Sequence, residues 1–341
     1  MNSNSFITRR LQRNLAWFAV AFCLLVVVFG AFVRLSNAGL SCPDWPTCYG
    51  KLTWPVHGHE IDAANAAFPE RAVESHKAWR EQVHRFLAGG LILTTFGLTV
   101  LAWLRRRELP GIAPVLIGAS VLIVFQALLG MWTVTWKLKP IVVMAHLMGG
   151  LSTFCLLAYV ALRLSFDGLG RADTRALRRM VVAGLVLVAL QIALGGWTSA
   201  NYAALSCGMD FPTCAGQWWP ATDFREAFVL WRGIGVSYEG GVLDADARAA
   251  IQLTHRIGAV VVFGHLLGVI VAAWRRRLVG WALALLAALS VQIALGISNV
   301  VFGLPLPVAT AHNAGAAVLL LVLLGMLVRL RPATTAPVAT C

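Results

Sequence analysis

The sequence predicts an all-α, polytopic membrane protein: eight transmembrane helices forming two pseudo-symmetric four-helix bundles, with N and C termini cytoplasmic. Three observations predict it. Of the 341 residues, 59% are hydrophobic and only 13% charged, and mean hydropathy is +0.75; soluble domains carry about 25% charged residues. Eight apolar stretches are long enough to cross about 30 Å of hydrocarbon, which takes roughly 20 helical residues. The second half of the chain also repeats the first.

The spans are expected near 14–35, 79–104, 112–136, 141–164, 177–199, 249–274, 278–302 and 307–330. Backbone polar groups find no water in lipid, so segments of this length are helices rather than open strands. The basic N-terminus and apolar run at 15–33 resemble a secretion signal, but no clear small-residue cleavage site precedes Arg34. An uncleaved first span is expected.

Charge sets the orientation. Arg9, Arg10 and Arg13 precede the first span, Arg105–Arg107 follow the second, and Arg275–Arg277 follow the sixth. Arg163, Arg171, Arg175, Arg178 and Arg179 separate spans four and five, and Arg329 and Arg331 close the last. That side carries 16 basic residues and three acidic ones, Glu108, Asp167 and Asp173, a net +13. The opposite side carries 12 of each sign. By the positive-inside rule the arginine-rich side is cytoplasmic. The pI of 10.2 therefore reflects membrane topology, and no nucleic-acid partner is expected.

Seven cysteines fit this orientation. Cys42 and Cys48 lie in the first long outer loop, and Cys207 and Cys214 in the second. Both pairs face the oxidising side, where disulfides persist. Cys23 and Cys155 fall inside spans as small apolar residues, and Cys341 ends the chain.

The repeat aligns residue 30 onward with residue 195 onward. Gly39-Leu40-Ser41-Cys42 matches Ala204-Leu205-Ser206-Cys207, and Asp44 to Cys48 matches Asp210 to Cys214. His84-Arg85 matches His255-Arg256, Gln126 to Gly130 matches Gln292 to Gly296, and Ala145-His146 matches Ala311-His312. Four spans per half, an even number, give both halves the same orientation. The expected units are 1–170 and 171–341, related by an axis along the membrane normal; transporters use such repeats too.

In each half the histidines, His84 with His146 and His255 with His312, lie five or six residues from the outer ends of the second and fourth spans. At 1.5 Å per residue that is roughly 8–9 Å deep. Two facing helices then put both imidazoles at one depth, as clamping a haem iron from both sides requires. Interhelical hydrogen bonding is the plainer alternative. His57, His59 and His76 read as solvated loop residues, and His265, where the first half has Thr94, as a packing or water-bonded residue.

Glu81 lies three residues before His84, on nearly the same helical face; its counterpart is Gln252. The duplicated sites thus share ligands and differ by one ionisable group, which assigns proton chemistry to the first. Arg85 and Arg256 suit carboxylates such as haem propionates, and snorkelling to the interface accounts for them equally well. Arg34, near the outer end of span one, is a weaker propionate candidate. Cys42–Cys48 and Cys207–Cys214 are structural staples or redox pairs, with Asp and Pro between them favouring a closing turn. The structural reading comes first for Cys207–Cys214; a redox role stays open for Cys42–Cys48. Gln126, Gln191 and Gln292, each in a Q-x-x-L-G run, read as interhelical packing motifs.

Arg34, the run Gly39 to Pro46, Glu81-x-x-His84-Arg85, His146, His255-Arg256 and His312 together resemble the haem A synthase family over essentially the whole chain. The resemblance implies an oxidoreductase that converts the C8 methyl of haem O to the formyl of haem A by two successive hydroxylations with water-derived oxygen. It implies substrate haem on His84 and His146, a b-type haem cofactor on His255 and His312, and Glu81 as the essential carboxylate. It links Cys42 and Cys48 to catalysis or electron transfer. The setting it implies is a bacterial inner membrane with the haem sites toward the periplasm. Haem O synthase, oxidase assembly factors and a second copy of the chain are the candidate partners. Two other functions compete. A dihaem quinone oxidoreductase predicts symmetric sites without a special carboxylate, and a haem exporter predicts occupancy without oxidation. The second outer loop, about 200–248, carries no readable role.

Overall fold

A computed structural model describes residues 3–166, 168–169 and 174–331. Asp167, Arg171, Asp173, Cys341 and the expected boundary between the two units lie outside the described residues. Those described form ten helices and no β-strand. Eight helices are long and apolar enough to cross a membrane: α1 (Ser3–Leu35), α3 (Ser75–Leu104), α4 (Ala113–Thr135), α5 (Pro140–Ser165), α6 (Arg175–Ala200), α8 (Ala245–Arg275), α9 (Val279–Val301) and α10 (Leu306–Arg329). Two short helices, α2 (Gly58–Ala67) and α7 (Phe224–Ala227), lie in the long loops.

Local chemistry sets the ends. Proline occupies the first turn of α4, α5 and α10, where its missing N–H is no loss. Asp244 caps α8 by accepting from the Ala247 N–H at 2.8 Å, one of the donors a helix start leaves free. Both α3 and α8 begin four residues before their expected starts at 79 and 249. Their added turns carry His76, Lys77, Asp246 and Arg248: the helices continue past the apolar zone, so apolar content alone places their starts too late.

Within the first half, α1 packs on α3, α3 on α4, α4 on α5, and α5 on α1. Within the second, α6 packs on α8, α8 on α9, α9 on α10, and α10 on α6. The halves meet through α1 with α10, α5 with α6, and α5 with α10. The main core follows those contacts: Phe154, Leu157, Ala158 and Ala161 of α5 and Leu323 of α10 are wholly buried. Apolar faces this large associate in lipid through close packing rather than water exclusion. Cys23 is buried and Cys155 half-buried, in keeping with small apolar residues.

The loops fold against one face of the bundle. Cys42 is bonded to Cys48 with Cα atoms 4.7 Å apart, and Cys207 to Cys214 at 4.4 Å. Cys42, Cys48, Tyr49 and Ala64 of the first loop form a small core with Ala78 of α3. The second loop reaches back over the first half. Tyr238 N–H donates to the Lys137 carbonyl at 3.0 Å, Glu239 pairs with Arg71 at 2.8 Å, and the Lys139 ammonium sits 3.2 Å from the Trp231 ring centre. The loop without a readable role is thus a strap across the mouth of the first half.

Candidate functional site

His84 of α3, His146 of α5, His255 of α8 and His312 of α10 each pack against a glycine of the preceding membrane-spanning helix. A Cβ on Gly30 of α1 would stand 2.8 Å from His84 Cε1. On Gly130 of α4 it would stand 3.3 Å from His146 Cε1, on Gly195 of α6 3.2 Å from His255 Cε1, and on Gly296 of α9 3.1 Å from His312 Cε1. Real Cβ atoms are rarely so close, so glycine is what lets the rings lie between helices. Matched glycines at 30 and 195, and at 130 and 296, were the sequence signal for these contacts.

His84 and His146 lie within electrostatic range of each other, as do His255 and His312. All four histidines are half-buried between their packed helices. Among the described residues no three His, Cys, Asp or Glu side chains converge as a bare metal site requires; imidazole pairs converge instead. A pair of imidazoles from two helices suits a group that brings its own equatorial ligands, as haem does.

The three glutamines have a defined target. Gln191 Nε2 lies 3.1 Å from His255 Nδ1 and donates to the His255 carbonyl at 2.9 Å. Gln126, in the amide orientation that satisfies both its ends, makes the same two contacts with His146 at 2.8 and 3.0 Å. Gln292 reaches the His312 ring at Nε2, 3.5 Å away. The Q-x-x-L-G runs are therefore histidine partners as well as packing motifs.

Glu81 is 5% exposed and fully engaged. Its Oε2 accepts from the Cys42 backbone N–H and the Ser41 hydroxyl, both at 3.0 Å, and its Oε1 pairs with Arg85 at 2.6 Å. The carboxylate thus joins the His84 helix to the disulfide loop. Gln252 is equally buried and has an uncharged amide in the same place.

The arginines after the histidines clasp the cysteine loops. Arg85 donates to the carbonyls of Asp44 at 2.8 Å and Thr47 at 2.5 Å. Arg256 donates to those of Asp210 at 3.0 Å, Pro212 at 3.3 Å and Thr213 at 2.7 Å. A planar fork of five donors suits several carbonyls at once. Sequence reasoning missed this role because a carbonyl acceptor leaves no trace in residue type. Arg34 joins the halves: it donates to the Ser199 carbonyl at 2.8 Å and the Tyr202 hydroxyl at 3.1 Å.

The other histidines stand apart. His57, His59 and His76 are exposed, and His265 Nε2 lies 2.9 Å from the Met180 carbonyl. On the face of α5 turned away from His146, a cavity of about 500 Å³ opens between the halves, lined by Met148, Leu151, Cys155, Ile192 and Leu320 among others.

Residues 13–324 match the COX15-CtaA family model, described as cytochrome oxidase assembly protein. The chain is 44% identical over 310 residues to the heme A synthase of Shewanella oneidensis, covering 89% of this chain and 92% of that one. It is 30% identical over 325 residues to the heme A synthase of Rhizorhabdus wittichii, with 88% of each chain covered. It is also 30% identical over 329 residues to that of Caulobacter vibrioides, covering 89% of this chain and 91% of that one.

Proposed function

Because this chain belongs to the haem A synthase family, we propose that it oxidises the C8 methyl of haem O to the formyl of haem A. The methyl passes through a hydroxymethyl to a hydrated aldehyde, which loses water. Each stage removes two electrons and two protons, water supplies the oxygen, and the electrons leave one at a time to an electron acceptor outside the chain. The bundle 1–170 holds the substrate between His84 and His146. In the bundle 171–341, His255 and His312 would hold a b-type haem, which would supply one-electron redox capacity. The loop face is periplasmic, in a bacterial inner membrane. Haem O synthase, oxidase assembly factors and a second copy of the chain are the proposed partners.

One observation carries the assignment of roles: the carboxylate of Glu81 stands one turn from His84, where the other half has Gln252. Glu81 accepts the proton as the methyl C–H bond breaks, or stabilises cationic character until water adds. Ser41, Cys42 and Arg85 hold its oxygens in place. Arg85 and Arg256 reach the propionates with the donor capacity their loop carbonyls leave. Cys42 and Cys48 position Glu81 through the main chain, and a redox contribution from them belongs to the same proposal.

The test is to produce the protein with a haem O synthase and chromatograph the extracted haems. Haem A is expected from the intact chain and only haem O from Glu81→Ala. Absence of haem A from both overturns the reading.

A further inference from the structure

Three of the four histidines have a glutamine amide against the ring, and each glutamine lies over a glycine three residues after its histidine. A Cβ on Gly149, Gly258 or Gly315 would overlap Gln126, Gln191 or Gln292 respectively. His84 departs at both places. Val26 stands where the aligned second half has Gln191, and Leu87 where it has Gly258. Val26 is buried in the main core, and Leu87 is among the residues that pack against that core. Phe29 stacks on the His84 ring, 6.4 Å between centres and 23° between planes. His84 Nδ1 and His312 Nδ1 are both buried with no hydrogen-bond partner. Gln292 still lies 3.5 Å from His312 at Nε2, whereas no glutamine among the described residues lies against the His84 ring.

A hydrogen bond to the far nitrogen of an iron-binding imidazole fixes the ring and tunes its donor strength. An amide offers either N–H or C=O, so it serves Nδ1 in either tautomer. Valine offers neither. Resting on the reading of the first pair as the substrate site, we propose that Val26 and Leu87 make His84 the exchangeable iron ligand, while Gln126 keeps His146 the fixed one. A substrate that must enter and leave then breaks one Fe–N bond, the Nε2 lone pair staying with the ring. A retained haem needs no such release, and a glutamine lies against both histidines of the second pair.

Carbon monoxide reports the difference, because it binds ferrous haem where an axial ligand gives way. Protein purified from cells that make haem O is reduced with dithionite and titrated with carbon monoxide, read by its optical spectrum. The wild type is expected to show a reactive fraction, and V26Q/L87G to bind carbon monoxide about tenfold more weakly in it. The same variant is expected to lose haem O more slowly to apomyoglobin. The reverse graft, Q191V/G258L, is expected to create a second reactive fraction, and it carries the test if V26Q/L87G does not accumulate. Unchanged carbon monoxide binding in whichever graft accumulates, with haem at both sites, overturns the proposal. If His84→Ala and His146→Ala leave haem content and spectrum unaltered, the underlying site assignment fails instead.

Discussion

The carboxylate of Glu81 accepts a hydrogen bond from the Cys42 backbone N–H at 3.0 Å, so the carboxylate meets the disulfide through main chain rather than sulfur. The same carboxylate is paired with Arg85, which holds the carbonyls of Asp44 and Thr47 from the same loop. Loop, carboxylate and histidine helix therefore form one hydrogen-bonded unit. Arg256 clasps the Cys207–Cys214 turn without a carboxylate partner, since Gln252 carries no charge for it to pair with.

Glu81→Gln keeps size and shape and removes the charge. It is expected to lower haem A formation by ~10²–10⁴-fold, the usual contribution of a positioned acid or base, while leaving haem bound. Pyridine haemochrome content set against the haem O to haem A ratio separates the two. Equal loss of both would mean that the residue is structural.

Replacing Cys42 and Cys48 by serine leaves the Cys42 N–H bond chemically possible but frees its loop. Closing a loop this short is worth roughly 2 kcal/mol in the chain-entropy model. Activity is expected to fall, and thermal stability to fall with it. The matching change at Cys207 and Cys214 is expected to lower stability with less effect on turnover, because no carboxylate hangs from that loop. Thermal unfolding and haem chromatography on both variants decide this.

Gly195→Ala and Gly296→Ala place a methyl within 3.2 Å of His255 and 3.1 Å of His312. Alanine favours helix over glycine by about 1 kcal/mol, so propensity alone predicts stabilisation. The expected result is the opposite at the second site: haem retention there falls about tenfold, as for displaced metal ligands. Haem content after purification measures it; full retention would show that the rings shift freely.

Arg71 and Glu239 tie the two loops in a partly exposed ion pair. Its double-mutant coupling is expected at about 0.2–1 kcal/mol, falling as salt rises. The Arg71 hydrogen bond holds the Glu239 carboxyl below its usual range. A depressed folded value gives stability present above the unfolded carboxylate value and lost as pH falls through the folded one. The coupling should therefore fade on acidification and persist toward neutral pH. A cycle of R71A, E239A and the double variant at two pH values checks this.

All eight spans were legible, because twenty apolar residues leave a chain few alternatives in lipid. The early starts of α3 and α8 were not, since Lys77 and Arg248 look like loop residues until a helix carries them clear of the bilayer. The glutamine runs announced close packing, while the histidine as their target needed the register of two helices. Lys139 on Trp231 and Arg34 on Tyr202 join residues far apart in the chain with no periodic signal. The loop strap could only be seen in three dimensions.

The glutamine–glycine and valine–leucine pairs have a consequence for how such a chain can change. Glutamine over leucine overlaps, and valine over glycine leaves a void with an unserved imidazole beside it. Each single substitution toward the other arrangement thus passes through a damaged protein. After duplication, the first and second halves were free to diverge at Glu81 and Gln252 one residue at a time. At Val26 and Leu87 they could part only by paired change. On the proposed roles, these two positions would mark the half with the exchangeable ligand, and their coupling would hinder the halves from exchanging tasks.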